Sequence, residues 1–477
     1  MIRSALTILI LLMSTLPSAA ATGGSQRVAA KSKRPNMIVV LVDDLGYADF
    51  SSYGNKRVIT ENLDRLAAEG IRFAKYYVNS PICSPSRTAL TTGQYPARWR
   101  ITSYIDNREM NRRRGMAQFL DTAAPTLARF LSKGGYRTGH FGKWHMGGGR
   151  DVGEAPLISE YGFDHSLTQF EGLGDRVLPL FDAHDGTPIR KANLGVASEQ
   201  LGRGKVTWID RCQVTRAFVG RALEFIKQAE VDDKPFYVNL WTDDVHSPFF
   251  PPKELRGDGS KRALYEGVLK NMDIQLGPLF DYVRGNAKLR NNTLILVASD
   301  NGPEPGAGSA GIFRGAKGML YEGGIRAPLI VWGPGLIPAG KRGTRDEATV
   351  LSSVDLVPSL LRLAGIDPRS AANFDGVEMS TALLGKTPAT RSKPLFWKRP
   401  PDRPGLPEDR WPDLAIREGE WKLLIHEDGS RPQLYNLMRD RSESENLAAQ
   451  RPEIVERLGK SVRAWNETLP KQATSHK

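Results

Sequence analysis

One pentapeptide stands out chemically: Cys83-Ser84-Pro85-Ser86-Arg87, in a chain with only two cysteines. A helical pattern, Ser86 to Thr92, follows at once, so Cys83 is expected at or just before a helix start. Backbone N–H groups and the helix dipole favour an anion there. An ordinary helix start, with Ser84 as cap and Pro85 in the first turn, is compatible with that reading. Two acidic pairs come next. Asp43-Asp44 follows the apolar run Met37–Val42, and Asp300-Asn301 follows Thr293–Ala298. Such continuous, β-branched runs are strands covered on both faces. If both lie parallel in one sheet, these four side chains emerge at one carboxyl edge, where α/β sites form. Three crowded carboxylates repel unless a cation or protons intervene. With an amide oxygen they make an all-oxygen set, suited to Ca²⁺ or Mg²⁺ rather than zinc. Singly, each pair is a plain turn; together, at two strand ends, they point to a metal.

Lysines and histidines recur at comparable places. Lys143 and His145 lie in Gly142-Lys143-Trp144-His145, after the strand-like Tyr136–Phe141, and His246 lies beyond Phe236–Leu240. Lys317 sits in Arg314-Gly315-Ala316-Lys317-Gly318, ahead of Glu322-Gly323-Gly324. A lone loop lysine or histidine is usually just solvated; these are singled out by their company.

The elements that must position them alternate. Leu329–Trp332 reads as one more buried strand, and Asn62–Gly70, Pro125–Lys133, Thr207–Gln228, Arg262–Arg284 and Val354–Ala364 have helical spacing. That alternation predicts an α/β fold, a large mostly parallel central sheet sandwiched by helices. Cys212, within Thr207–Gln228, reads as a buried core cysteine. Gly147–Val206 and Pro400–Pro412 read as loops, insertions or linkers. Beyond them, Leu414–His426 and Gln433–Leu437 are expected as short strands around the turn Asp428-Gly429, followed by a helix from Pro452 to Leu469. The expected organisation is a signal segment over 1–21, a flexible basic arm over 22–35, a catalytic α/β domain over 36–385 and a small C-terminal antiparallel α+β subdomain over 386–477.

Composition narrows the classes. Hydrophobic residues make up 40% of the 477 and charged residues 25%, which excludes a disordered, collagenous or multi-span membrane chain. The net charge of +13 suits an anionic partner or a solvated basic surface. No tract interleaves basic and aromatic residues as a nucleic-acid binder would, so no nucleic acid is expected. Arg3, the apolar run Ala5–Met13 and the small residues Ser18–Ala21 look like an export signal. That run is too short to span a bilayer, and a periplasmic or secreted protein with no membrane span is expected. Two cysteines cannot staple an exported fold of this size.

In combination these motifs resemble those of the type I, formylglycine-dependent sulfatases of the alkaline-phosphatase superfamily, closest to arylsulfatase and N-acetylgalactosamine-6-sulfatase relatives. The likeness covers nearly the whole chain, through Val42–Gly46, Cys83–Arg87, Gly139–His145, His246–Phe249, Ser299–Gly302 and Gly315–Arg326. It implies that a separate formylglycine-generating enzyme converts Cys83 to formylglycine (3-oxoalanine), hydrated to a gem-diol. It implies Ca²⁺, with Mg²⁺ the lesser candidate, held by Asp43, Asp44, Asp300 and Asn301 with the modified Cys83. Arg87 would hydrogen-bond the modified residue and balance charge. Lys143 and Lys317 would bind sulfate oxygens, His246 or Lys317 would protonate the leaving alcohol, and His145 would act on the second diol hydroxyl. The implied substrate is a sulfated carbohydrate or aryl sulfate ester. A phosphodiester or phosphonate monoester hydrolase with the same formylglycine, and a non-catalytic sulfoglycan-binding protein, are the alternatives. Arg108-Glu109-Met110-Asn111-Arg112-Arg113-Arg114 could grip a second sulfate, or be a solvated basic loop.

Overall fold

In the computed structural model the described residues are Met1 and 34–470, apart from 183–187, 389 and 401–411. The signal segment, nearly all of the basic arm and most of the Pro400–Pro412 linker lie outside them. The large sheet is built, in chain order, from β1 (Asn36–Val42), β2 (Ile71–Tyr77), β3 (Arg137–Gly142), β4 (His165–Thr168), β5 (Arg176–Phe181), β6 (Arg190–Lys191), β7 (Val206–Asp210), β8 (Phe236–Trp241), β9 (Thr293–Ser299), β10 (Arg326–Trp332) and β11 (Thr344–Ser352). Its order is β11-β2-β10-β9-β1-β8-β3-β4-β5-β6, with β7 also paired to β5.

The apolar run of β1 explains its central place. Met37, Val39 and Leu41 enter one core, whereas Ile38, Val40 and Val42 enter the other. Each such side chain, wholly removed from water, is worth roughly 1.5–3 kcal/mol. The helices Glu61–Glu69, Val214–Val231 and Lys261–Gly285 cover one face through Leu66, Phe218 and Leu276. Leu127–Lys133 and Ser353–Leu363 cover the other through Leu131 and Leu360. The expected sandwich is therefore present, and β1 runs parallel to both neighbours, β8 and β9.

Several local expectations are corrected. β10, one more buried strand as expected, departs from the mostly parallel sheet and runs antiparallel to β9 and β2. A parallel return requires a long crossover connection, but residues 300–325 contribute only the one-turn helix Glu322–Ile325. Thr207–Gln228 is not one helix: Val-Thr-Trp-Ile-Asp forms β7 beside β5, and the helix begins at Val214. Cys212 therefore sits in the short 3₁₀ turn between them, half-buried rather than in the core. The glycine-rich stretch 147–206 is no simple loop, since it supplies β4, β5, β6 and the helix Asn193–Gln200.

A second, antiparallel sheet comprises β12 (Leu395–Lys398), β13 (Leu414–Glu418), β14 (Trp421–Ile425) and β15 (Gln433–Asn436). The helix Pro452–Glu467 covers one face, packing Leu458 and Val462 against Leu414, Ile416 and Leu423. The opposite face delivers Ala415, Leu424 and Tyr435 to the main core. Leu414–His426 is split by the turn at Gly419, while Asp428-Gly429 joins β14 to β15. Among the described residues no helix is long and apolar enough to cross a membrane.

Candidate active site

Register brings the acids together. Val42 pairs with Ser299 at the last position of the parallel β1–β9 ladder, so Asp43-Asp44 and Asp300-Asn301 leave the sheet side by side. The turn is pinned by Asp300 N donating to Val42 O and Asp44 N donating to Asp300 Oδ1, each at 3.2 Å. All four residues are buried. Asp43, Asp44 and Asp300 each place a carboxylate oxygen within 4.8 Å of the others.

The carboxyls of this cluster are not held alike. Burial opposes ionisation of Asp43, but Lys143 and Arg87 outweigh it and hold the carboxyl well below its ordinary range. Asp300 is pushed up to about 8 by burial and by the Asp43 charge, against Arg87. Arg87, Lys143 and Lys317 each meet one of the three carboxylates, yet burial and mutual repulsion still oppose full ionisation of the set. Two buried oxygens, Asp43 Oδ1 and Asn301 Oδ1, have no hydrogen-bond partner among the described residues. Oxygen-only donors with spare lone pairs fit a hard divalent cation.

Cys83 opens the helix Cys83–Thr92, with Ile82 as its cap. The Ser84 cap is thus corrected: Ser84 Oγ instead accepts from Ile105 N at 2.9 Å, and Pro85 falls in the third helical position. The thiol lies 4.0 Å from Asp44 Oδ1. Burial and the Asp43 charge push it well above its ordinary value, so Cys83 is a poor thiolate nucleophile. Arg87, one turn further and fully buried, donates from Nε and Nη2 to Asp300 Oδ2 at 3.0 and 2.8 Å. Its Nη1 donates to Lys143 O at 2.8 Å, and Nη2 lies 3.4 Å from Asp43 Oδ1. The guanidinium thus ties the cysteine helix to three strand ends.

Lys143 and His145 follow β3. At Gly142, φ is +127° and a Cβ would stand 1.8 Å from Trp241 O, so only glycine lets the chain turn there. Lys143 Nζ reaches Asp43 Oδ2 at 2.6 Å. His145 Nδ1 lies 2.9 Å from Glu171 Oε2 and Nε2 lies 3.2 Å from Ile105 O. Burial lowers the His145 pKa to about 4, against the pull of Glu171. His246, after β8, places Nε2 3.5 Å from Asp44 Oδ2, and its side chain keeps 30% exposure. Lys317 Nζ contacts Asp44 Oδ2. Its loop is pinned by Lys317 N donating to Pro303 O and Gly318 N donating to Pro81 O. Close backbone approach of Gly302 to Gly323 and Gly324 brings that loop in.

Asp43, Asp44, Cys83, Arg87, Lys143, His145, His246, Asp300, Asn301 and Lys317 therefore meet at one edge. Several residues not singled out in the sequence also meet there. Glu171, in the loop after β4, faces His145, Lys143 and Arg150; burial opposes its ionisation, but His145 and Lys143 hold its carboxyl well below its ordinary value. Asp243 lies 3.8 Å from Lys143 Nζ, and Arg211 pairs with both Asp243 and Asp244 at 3.0 Å. Asp243-Asp244 repeats the signal of Asp43-Asp44, two acids just after a buried strand. Glu171 has no such signal in its glycine-rich stretch. Arg108, Arg112 and Arg113 do not reach this edge: their helix, Arg108–Arg113, pairs them with Glu154 and Glu109.

Comparison with known proteins identifies the family. The family profile described as Sulfatase matches residues 35–366. Arylsulfatase A of Homo sapiens is 30% identical, over 90% of this chain and 87% of the relative. N-acetylgalactosamine-6-O-sulfatase of Bacteroides thetaiotaomicron is 28% identical, over 94% of this chain and 97% of the relative. The crystal structure of Ps i-CgsB in complex with k-i-k-neocarrahexaose superposes with a TM-score of 0.75 at 25% identity, covering 93% of this chain and 95% of that one. A phosphonate monoester hydrolase of Agrobacterium radiobacter shares the fold, with a TM-score of 0.62 at 19% identity. With that match running from β1 through the Lys317 loop, the chain belongs to the sulfatase family, as a type I sulfatase of the alkaline-phosphatase superfamily and a sulfuric ester hydrolase.

Proposed function

We propose that the protein hydrolyses sulfate esters of an extracytoplasmic glycan, releasing inorganic sulfate, with formylglycine at position 83 and Ca²⁺ held by Asp43, Asp44, Asp300 and Asn301. One observation carries this reading: a helix-opening cysteine faces a buried, under-donated oxygen cluster ringed by two lysines and two histidines. When present, the formylglycine hydrate supplies a hydroxyl nucleophile and the metal sharpens it while drawing on sulfate oxygens. The chain's own groups do the rest. Lys143 and Lys317 aim ammonium groups at the sulfate oxygens, where charge grows in the transition state. Arg87 neutralises Asp300 and Asp43 and fixes the cysteine helix against them. His246, the least enclosed of the group, gives the leaving alcohol its proton from Nε2, because its Nδ1 faces the Ser247 carbonyl. His145, kept neutral by burial, accepts a proton at the residue-83 end. N-acetylgalactosamine 6-sulfates and oligosaccharides such as the neocarrahexaose are the substrates that the named relatives suggest. The export-signal reading of Arg3–Ala21 supports work in the periplasm or outside the cell.

Mass spectrometry of the tryptic peptide Tyr76–Arg87, from protein made with its modifying enzyme, tests the reading. A peptide lighter by the change of thiol to aldehyde is expected, together with turnover of nitrophenyl sulfate over a nitrophenyl phosphonate. An unmodified cysteine beside an active modifying enzyme would sink it.

A further inference from the structure

The cavity at this edge is larger than a sulfate group requires. Its volume is about 500 Å³, within the ~300–1,000 Å³ that takes a whole small ligand. Besides Cys83, Lys143 and His246, its lining includes Phe181, Arg190 and Asn193, contributed by β5, β6 and the helix that follows. The cations of that lining are not equivalent. Lys143 is held by Asp43, Arg150 by Asp106 and Glu171, and Arg211 by Asp243 and Asp244. Lys191 pairs with Glu199 at 3.1 Å and lies over the Trp208 ring. Both histidines face carboxylates. Arg190 is the one cation of the lining that meets no acid among the described residues, and it is exposed. Its backbone is placed by pairing with Phe181 in the β5–β6 ladder, and the Phe181 ring stacks on Phe250 at 4.8 Å.

We infer that Arg190 reads a second anionic group on the substrate, a sulfate or carboxylate on the sugar next to the one being desulfated. The inference rests on the glycan sulfatase reading of the same cavity. A guanidinium presents a planar fork of donors that matches the oxygens of sulfate or carboxylate two at a time. The sulfate under attack is met by lysines at the enclosed end, so the exposed Arg190 guanidinium of the same lining addresses a different group. The strongly basic Arg108–Arg113 helix is excluded from this task, since its arginines are already paired and lie outside the lining. The cavity thus favours a polyanionic oligosaccharide over an isolated monosulfated sugar.

The test compares kcat/KM for a galactosamine-containing disaccharide bearing one sulfate and for its counterpart with a second sulfate on the neighbouring sugar. Wild-type protein carrying modified Cys83 is set beside Arg190→Gln and Arg190→Lys. The wild type is expected to prefer the disulfated compound, and Arg190→Gln to cut that preference about fivefold, the size of a solvent-exposed ion pair. Arg190→Lys should keep part of it, and the wild-type preference should shrink at high salt through screening. Hydrolysis of both compounds with a ratio that Arg190→Gln leaves unmoved overturns the role of Arg190 while the sulfatase reading stands. Failure of the modified wild type to release sulfate from either compound overturns the glycan reading, and this inference with it.

Discussion

Two neighbouring strands of one sheet end in the same dipeptide, and the fold treats the two pairs differently. After β1, Asp43-Asp44 joins Asp300 and Asn301, and two oxygens of that group find no donor among the described residues. After β8, Asp243-Asp244 is met by Arg211, whose Nη2 and Nη1 reach the two carboxylates at 3.0 Å each, and Thr215 donates to Asp244 Oδ2. One group keeps oxygens that no hydrogen bond takes up, and the other pair is closed by a single guanidinium. Two acids after a buried strand are therefore only half of a cation site. The other half is a set of buried oxygens that no nearby donor takes up, and that depends on residues far away in sequence.

The comparison breaks hardest at Asp43. Asp43→Asn keeps the shape and removes the charge on which Lys143, Arg87 and the expected cation converge. Calorimetry should show Ca²⁺ binding lost, and kcat/KM toward nitrophenyl sulfate should fall by at least about 10²–10³-fold. Full retention of both would mean that the under-donated oxygens are not a cation site. Arg211→Ala tests the other pair. It strands two buried carboxylates without their counter-charge, so denaturant unfolding should show a loss of about 3–5 kcal/mol, with Ca²⁺ stoichiometry in the folded fraction unchanged. A loss below about 1 kcal/mol would show that the second pair does not depend on Arg211.

How much of this was legible beforehand follows from the same contrast. β1 and β9 are readable because a strand buried on both faces must be apolar at every position, and the residues just beyond such a run fall at the sheet edge. The Cys83 motif is readable because its residue types are rare and adjacent. The direction of β10 is not, because it depends on whether the Lys317 loop contains a crossover helix rather than on the strand's own residues. Arg211 was concealed by helical spacing that runs on through β7, where tertiary pairing with β5 overrides the local pattern. Glu171 lies among glycines with no period at all, and only the β4–β5 connection brings it to His145.

Glu171 also yields the smallest expected effect, because it touches neither pair directly and acts on the cation between them. Lys143 Nζ lies 2.6 Å from Asp43, 3.8 Å from Asp243 and 3.6 Å from Glu171. Glu171→Gln retains shape and most polar contacts but withdraws one of three negative charges from Lys143 and the nearest one from His145. Carboxylates that orient reacting side chains from behind are worth about 10–100-fold in activity, and the fall is expected in kcat rather than KM. The sign of the accompanying pH effect follows from the balance on His145. Burial lowers its pKa to about 4, and the Glu171 carboxylate does most to keep it from falling further. Removing that charge lowers it again, so the acid limb of the kcat profile, where His145 takes up a proton, should move to lower pH. A merely structural Glu171 would lower kcat equally at every pH and leave the limb where it is. An unmoved limb would return Lys143 and His145 to the control of the strand ends alone, with the two acid pairs as the only anions that matter at this edge.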